Sequence, residues 1–254
     1  KKLKKYVEKK KLVYLSTPFS LEAAKQLNRI KIKAFKIGSG ECNNIPLIKK
    51  IASFKKPIIL STGMNDIQSI SKSVNILKKV KANFALLHCI SEYPANIKKL
   101  NLDFIGVLKK KFPKTVIGYS DHAKGIIPAI SAMSKGALII EKHFTDTKKR
   151  LGPDIICSMD PNELKLLKEC SNQIFYSNGN KRIISSVEKI TAKFAFSSVV
   201  SIKDITRGEK FSEKNIWVKR PGTGYFKASQ FDKILGKKAK RFISKNNFIK
   251  KNDV

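Results

Sequence analysis

The amino-acid sequence predicts an α/β fold in which parallel strands alternate with helices around a (β/α) barrel. Six short apolar runs recur at intervals of roughly 22 to 31 residues, about the length of a strand-plus-helix unit. Polar residues follow nearly every run, and 254 residues with 42% hydrophobic content are enough to bury one large core. The runs are Leu12–Leu15, Ala34–Ile37, Pro57–Leu60, Phe84–Leu87, Thr115–Gly118 and Ala137–Ile140.

The segments between the runs carry helix-start signals. Pro46 suits the first residue of a helix, because its fixed backbone angle is already helical. Asn65 and Gln68 have the spacing of a capping box, and Asp160 and Glu163 have it again around a proline. Helices are therefore expected after the second, third and sixth runs.

The residues that follow the strands favour a barrel over an open sheet. An open sheet concentrates functional groups at one switch point, whereas a barrel delivers them from many strands to one rim. No G-x-G-x-x-G or Walker pattern is present, which argues against a nucleotide site. The strand-end groups are Ser16-Thr17-Pro18, Gly38-Ser39-Gly40-Glu41, Ser61-Thr62-Gly63, His88-Cys89, Tyr119-Ser120-Asp121-His122 and Glu141-Lys142-His143.

The pattern changes after Phe175. A turn-rich stretch, 176–180, precedes short strand-like runs that begin near Ala192. The sequence thus predicts a barrel domain over 1–178, a linker over 179–191 and a β-rich module over 192–254. A module of this size has a small core, so we expect it to pack on another surface.

The formal net charge of +34 does not by itself predict a nucleic-acid partner. Only six of the 53 basic residues are arginine, and lysine is spread along every segment, which is typical of solvated surfaces. We therefore expect no nucleic-acid partner, although the positive field attracts small anionic substrates. No apolar run reaches the ~20 residues of a membrane helix, and the four cysteines lack a C-x-x-C pair. We expect a cytoplasmic protein with free thiols and no membrane contact.

Hydroxyl groups at the strand ends are candidates for binding an anion. Five of them, together with one lysine, would converge at a barrel mouth, where a phosphate or carboxylate is well bound. The alternative is that these residues only end strands and cap helices. The set is Thr17, Lys36, Ser39, Ser61, Ser91 and Ser120.

Two histidines and four carboxylates complete the candidate rim. His122 and His143 follow neighbouring strands, where two neutral imidazoles bind a divalent metal, although their separation is not a local ligand spacing. His88 is expected to pack. The carboxylates suit acid–base work or hydroxyl binding, with helix capping and pairing to lysine as the alternative. They are Glu41, Asp121, Glu141 and Asp154.

Several strings together resemble the sialic acid synthase family, which includes N-acetylneuraminate, legionaminate and pseudaminate synthases. They are STPFS at 16–20, KIGSGE at 36–41, ILSTGM at 59–64, HCISEYP at 88–94, GYSDH at 118–122 and EKHFT at 141–145. VKRPGTG at 218–224 and LGKKAKR at 235–241 resemble the family's C-terminal antifreeze-like (SAF, β-clip) domain. The resemblance implies a TIM-type (β/α) barrel followed by this small domain.

The resemblance also implies a reaction and a set of roles. Phosphoenolpyruvate condenses with an N-acylated hexosamine, such as N-acetylmannosamine, to give a nine-carbon ulosonic acid and phosphate. A divalent metal, Mn²⁺ or Mg²⁺, would be held by His122 and His143, and Glu41 and Glu141 would be catalytic with them. The hydroxyls and the lysine named above would bind phosphoenolpyruvate. Glu41, Tyr93 and Asp154 would hold the sugar, and Arg220 would reach the acyl group in a partner's site, which implies a domain-swapped homodimer.

The chain departs from the family at its start. Family members begin with two further strands that carry a His-Asn-Gly and a Lys-Phe-Gln stretch, and this sequence begins just before the third strand. A barrel without these strands has two open edges. The alternatives to an active synthase are therefore a non-catalytic fragment of one, or another phosphoenolpyruvate–aldose condensing synthase.

Overall fold

Two structural units follow one another along the chain in the computed structural model, which describes residues 1–179 and 181–254. The first unit covers Lys1–Gly179 and the second covers Asn180–Val254. Part of the predicted linker over 179–191 is helical, and its residue Asn180 lies outside the described residues.

The first unit alternates helices with parallel strands. Its strands are β1 (Phe35–Ile37), β2 (Ile58–Ser61), β3 (Phe84–Cys89), β4 (Val116–Asp121) and β5 (Ile140–Lys142). Its helices are α1 (Lys2–Lys9), α2 (Leu21–Arg29), α3 (Ile45–Ser53), α4 (Ile67–Lys79), α5 (Phe104–Lys111), α6 (Ile127–Ser134) and α7 (Pro161–Ser177). Chain order and sheet order are the same, β1-β2-β3-β4-β5, and every pair is parallel.

Side chains at the helix starts explain where the helices begin. The Asp160 carboxylate accepts from the backbone of Glu163, whose side chain returns to the Asp160 N–H, so the capping box predicted there is confirmed. The cap predicted at Asn65 is wrong, because Asp66 accepts the Ser69 N–H and α4 begins one residue later. Pro46 is the second residue of α3 rather than the first.

Two of the six predicted strands differ from the structure. Leu12–Leu15 is not a strand, and Leu12 and Val13 are each 64% exposed. An apolar run becomes a parallel strand only when neighbours bury it, and none of the described residues pairs with it there. The strand predicted over Ala137–Ile140 begins only at Ile140 and continues to Lys142, which extends β5 toward the polar residues.

The second unit is a small β-rich domain with its own core. Helix α8 (Ser186–Ala195) precedes the antiparallel strands β6 (Ser198–Ser201) and β7 (Ile216–Lys219). The predicted linker thus contains the start of α8, where Ser185 and Glu188 form a capping box. The Gly222 N–H donates to the Lys193 carbonyl near the end of this helix. The core consists of Val199, Ile205, Phe211, Ile216, Ile234, Ala239, Ile243 and Ile249.

Neither a membrane-spanning helix nor a disulfide is found in the part of the chain that the structure describes. No helix within residues 1–179 and 181–254 combines the length and apolar character that crossing a bilayer requires. All four cysteines carry free thiols, as the absence of a paired spacing predicted.

Candidate active site

The polar residues at the strand ends divide between the two faces of the sheet. Side chains alternate along a strand, so register partners point to the same face. Ser120 and Glu141 are partners in β4 and β5, and Asp121 and Lys142 are the next pair. We call the face that bears Ser120 and Glu141 the inner face, and the face that bears Asp121 and Lys142 the outer face.

A hydrogen-bonded network on the inner face links the two edge strands of the sheet. The Lys36 ammonium donates to Ser61 Oγ at 2.8 Å and lies 3.3 Å from Glu141 Oε2. Ser120 Oγ donates to Glu141 Oε1 at 3.0 Å. Lys36 belongs to β1 and Glu141 to β5, the first and last strands of the sheet. Their contact shows that the sheet curls into a half-barrel, with the inner face concave.

Two further serines lie next to this network, around Gly63. The Gly63 N–H donates to Ser39 Oγ at 3.0 Å. A Cβ atom at Gly63 would lie within 2.9 Å of Ser39 Oγ and would also clash with Ser91 Oγ. The Cys89 thiol is 3.8 Å from Ser91 Oγ. A glycine at this position therefore leaves room for the Ser39 and Ser91 hydroxyls.

The two candidate metal ligands are neighbours in space. The ring centroids of His122 and His143 are 5.4 Å apart, and the Tyr93 ring is centred 4.1 Å from that of His122. His122 Nδ1 lies 2.9 Å from the Ile90 carbonyl oxygen, and His143 Nδ1 lies 3.7 Å from Asp154 Oδ2. Oriented in this way, each ring keeps Nε2 for another partner.

A histidine that binds a metal usually directs one ring nitrogen to a carbonyl or carboxylate and the other to the metal. The orientations of His122 and His143 therefore fit a divalent metal. The described residues contain no group of three or more His, Cys, Asp or Glu side chains arranged to hold an ion. Water or substrate oxygens would therefore supply the remaining ligands.

The His122 ring and the Cys89 thiol beside it shift each other's pKa. Burial disfavours the charged form of His122, but the hydrogen bonds to Cys89 and to the Ile90 carbonyl outweigh burial, and its pKa is raised. Burial disfavours the Cys89 thiolate as well, yet the hydrogen bonds from His122 and Ser39 lower the pKa of that thiol. Burial and the anionic groups around it raise the pKa of Tyr93.

Several predicted site residues make other contacts. The Glu41 carboxylate accepts from Asn44 within its own turn. Thr17 lies beside Gly38 and lines a separate open cleft of about 550 Å³ next to α2. Arg220 belongs to the second unit, where it is exposed.

Asp121 ends β4 as predicted, but it follows the alternative given for the carboxylates, pairing with a lysine. Its side chain is 0% exposed and pairs on the outer face with Lys142, which the sequence reasoning did not single out. Alternation along a strand predicts the outer face for both Asp121 and Lys142, because each directly follows an inner-face residue, Ser120 or Glu141. His88 packs on the outer face, with Nε2 2.7 Å from the Leu100 carbonyl oxygen and its ring stacked on Tyr119.

Polar side chains at the carboxyl ends of parallel strands, on the concave side of a curled sheet, define the class of (β/α)-barrel enzymes. Within that class the chain belongs to the NeuB family, whose model matches residues 1–183, and a SAF domain model matches residues 196–254. The fold class predicted from the sequence, a TIM-type barrel without its first strands followed by a SAF domain, is confirmed.

Relatives place the chain among enzymes that form carbon–carbon bonds. It is 41% identical over 254 residues to the N,N'-diacetyllegionaminic acid synthase of Campylobacter jejuni, covering 98% of this chain and 75% of that protein. It is 33% identical over 243 residues to a pseudaminic acid synthase of the same species, with 95% and 70% covered. The crystal structure of the N-acetylneuraminic acid synthetase of Leptospira borgpetersenii matches with a TM-score of 0.70 at 36% identity, covering 74% of this chain and 66% of that one.

Proposed function

We propose that this chain condenses phosphoenolpyruvate with an N-acylated hexosamine, such as N-acetylmannosamine, to give a nine-carbon ulosonic acid and phosphate. The observation that carries the proposal is the inner-face network of Lys36, Ser120 and Glu141 beside the histidine pair. A fixed cation with converging hydroxyls suits the phosphate and carboxylate of phosphoenolpyruvate. The relatives make different acids, so the proposal extends to the substrate class and not to one sugar.

In this proposal the inner-face hydroxyls hold phosphoenolpyruvate so that its C3 faces the sugar. Lys36 is 9% exposed and already held by Ser61, so its ammonium is fixed before a substrate arrives. The phosphoenolpyruvate set would be Lys36, Ser39, Ser61, Ser91 and Ser120, and the resemblance adds Thr17, which would have to reach them from the cleft next to α2. Glu41, Tyr93 and Asp154 would bind the hydroxyls of the sugar.

The Nε2 atoms of His122 and His143 would hold the divalent metal, Mn²⁺ or Mg²⁺. When bound, that ion polarises the sugar aldehyde as a Lewis acid. Asp154 lies beside His143, with Oδ2 3.7 Å from Nδ1, where its carboxylate would orient the ring with Nε2 toward the metal.

The reaction balances without an external oxidant or reductant. C3 of phosphoenolpyruvate forms a bond to the aldehyde carbon, the aldehyde oxygen takes up a proton, and C2 becomes an oxocarbenium-like centre. Water adds to C2, and Glu141, whose two oxygens face Lys36 and Ser120, accepts its proton. The bond between C2 and the phosphate oxygen then breaks as the C2 hydroxyl gives its remaining proton to the departing phosphate, which leaves a keto acid. The proton that Glu141 accepted returns to solvent and balances the proton taken up from solvent by the aldehyde oxygen.

Turnover of defined substrates tests this function. We expect the chain, supplied with Mn²⁺, phosphoenolpyruvate and N-acetylmannosamine, to release phosphate together with a product whose mass is that of pyruvic acid plus N-acetylmannosamine. Lys36→Met removes the fixed cation and should reduce turnover at least about 100-fold. Lys135→Met, at an exposed ion pair with Asp103, is the matched control and should leave turnover unchanged.

Two other results would overturn the assignment. Product formed only with a phosphorylated aldose would favour another type of condensing synthase. Binding of phosphoenolpyruvate without product from any N-acylated hexosamine would favour a non-catalytic fragment.

Arg220 would complete the site of a partner subunit in a domain-swapped homodimer. It precedes a turn that Ser198 holds, since Ser198 Oγ donates to the Pro221 carbonyl and accepts from the Gly224 N–H, both at 2.9 Å. Mixing Arg220→Ala subunits with His122→Ala subunits should then restore one working site per mixed dimer. No recovery from two soluble variants that exchange subunits would contradict a shared site.

A further inference from the structure

Behind the two histidines, on the outer face, Asp121 and Lys142 form an ion pair that is closed off from solvent. The Asp121 Oδ2 and Lys142 Nζ atoms are 2.8 Å apart, and both side chains are 0% exposed. The two residues are register partners in β4 and β5. Each directly precedes one histidine, so the pair joins the two strands at the point where His122 and His143 leave them.

The same pair holds the backbone just beyond His122. Asp121 Oδ1 accepts from the Ala123 N–H at 2.9 Å, and Lys142 Nζ donates to the Ala123 carbonyl at 2.7 Å. His122 therefore lies between two residues, Asp121 and Ala123, that are both fixed to Lys142.

Other contacts hold each histidine by itself. The His122 carbonyl accepts from the Ala95 N–H, and its ring faces the Ile90 carbonyl. The His143 carbonyl accepts from the Met159 N–H. These contacts tie each histidine to a neighbouring loop, whereas the buried ion pair relates one histidine to the other.

Stability alone gives little reason for a buried ion pair. The cost of removing two charges from water offsets much of their attraction, and an apolar pair of similar volume is often as stable. What the charged pair adds is directional hydrogen bonding, which sets a geometry. We propose that Asp121 and Lys142 are positioning residues that set the separation of His122 and His143, and with it the affinity for a divalent metal. This inference rests on the proposed function, in which the two histidines hold that metal.

Binding of Mn²⁺ alone to the full chain tests the inference, with the free ion followed by its electron paramagnetic resonance signal. The double variant Asp121→Leu/Lys142→Met leaves no charge unpaired, and Asp121→Asn keeps the shape of the carboxylate. We expect each to bind Mn²⁺ at least about tenfold more weakly than the wild type, the size of effect seen when outer partners of ligands are lost. The double variant Asp103→Asn/Lys135→Met, at the exposed pair, should bind normally.

Urea unfolding midpoints show whether a variant binds Mn²⁺ weakly because the chain is unfolded or because the two histidines are displaced. Only a variant with the wild-type midpoint is used to judge the inference. Native-like Mn²⁺ affinity in such a variant would overturn the inference and leave the proposed metal site intact. If the wild type binds no Mn²⁺, or if His122→Ala binds it as tightly, the metal assignment of the proposed function is itself wrong and the inference falls with it.

Discussion

The inner and outer faces of the sheet at the ends of β4 and β5 are similarly polar, but they differ in their access to solvent. On the inner face the network runs from Lys36, which is nearly buried, to Glu141, whose side chain is 42% exposed. On the outer face the side chains of Asp121 and Lys142 are 0% exposed, and they contact each other and the Ala123 backbone. Both faces carry polar groups, so solvent exposure is what distinguishes residues that can contact a substrate from residues that only stabilise the sheet.

The largest effect should come from breaking the outer-face pair on one side only. Lys142→Met leaves the Asp121 charge buried without its partner, which should lower the free energy of unfolding by about 3–5 kcal/mol. Lys135→Met removes an exposed lysine from a surface pair and should cost less than about 1 kcal/mol.

Urea unfolding followed by far-ultraviolet circular dichroism measures this loss. Fluorescence of Trp217, the single tryptophan, follows the second unit in the same samples. A loss below about 1 kcal/mol for Lys142→Met would mean that the outer face tolerates an unpaired charge.

A smaller effect is expected where the inner face needs a close backbone approach. In Gly63→Ala the new methyl group meets the Ser39 and Ser91 hydroxyls, which must move from their present positions, at a cost of about 1–3 kcal/mol in unfolding free energy. Gly106→Ala in α5 is the control, because a Cβ there meets no atom within 4 Å. It should be neutral or stabilise the helix by up to about 1 kcal/mol. Equal unfolding midpoints for the two variants would contradict the crowding at Gly63.

Removing one inner-face hydroxyl should affect function more than stability. Ser120→Ala deletes the donor to Glu141 and should raise the KM for phosphoenolpyruvate about tenfold, equivalent to about 1.4 kcal/mol. Ser134→Ala, on the exposed end of α6, should leave KM unchanged. A Ser120→Ala variant with normal KM but a lowered melting temperature would move Ser120 from substrate binding to framework.

The smallest effect concerns pH and the outer-face His88. Burial lowers the pKa of His88 in the folded chain, so the unfolded chain takes up its proton first as the pH falls. Stability should therefore be full above the unfolded-state pKa of about 6.5 and decline below it. His88→Gln cannot titrate and should flatten this slope between about pH 5 and pH 7 in urea unfolding series. An unchanged slope would assign the acid sensitivity to other groups.

Local signals in the sequence identified much of the first unit. Asp160 and Glu163 cap α7 as their spacing predicted, because a capping box needs only neighbouring residues. The run Leu12–Leu15 has the same composition as the true strands, but its state depends on whether another strand lies beside it. Local composition does not report which other strand lies beside a run.

Asp121 shows a similar limit for the site. From the sequence it is one of several carboxylates at strand ends, and only alternation separates it from Glu141. The face each residue takes depends on the register of β4 with β5, in which Ser120 lies opposite Glu141 and Asp121 lies opposite Lys142. A shift of one residue moves a side chain to the other face.

By itself the sequence determined the alternation of strands and helices, the change of pattern after Phe175 and the types of residue at the strand ends. These features follow from short-range hydrophobic periodicity and from turn-forming residues, both of which depend only on a few neighbouring residues. Tertiary structure alone decided that Lys36 of β1 meets Glu141 of β5, and that Asp121 turns away to pair with Lys142. Contacts between residues 105 positions apart arise from the curl of a whole sheet, which no local stretch of sequence specifies.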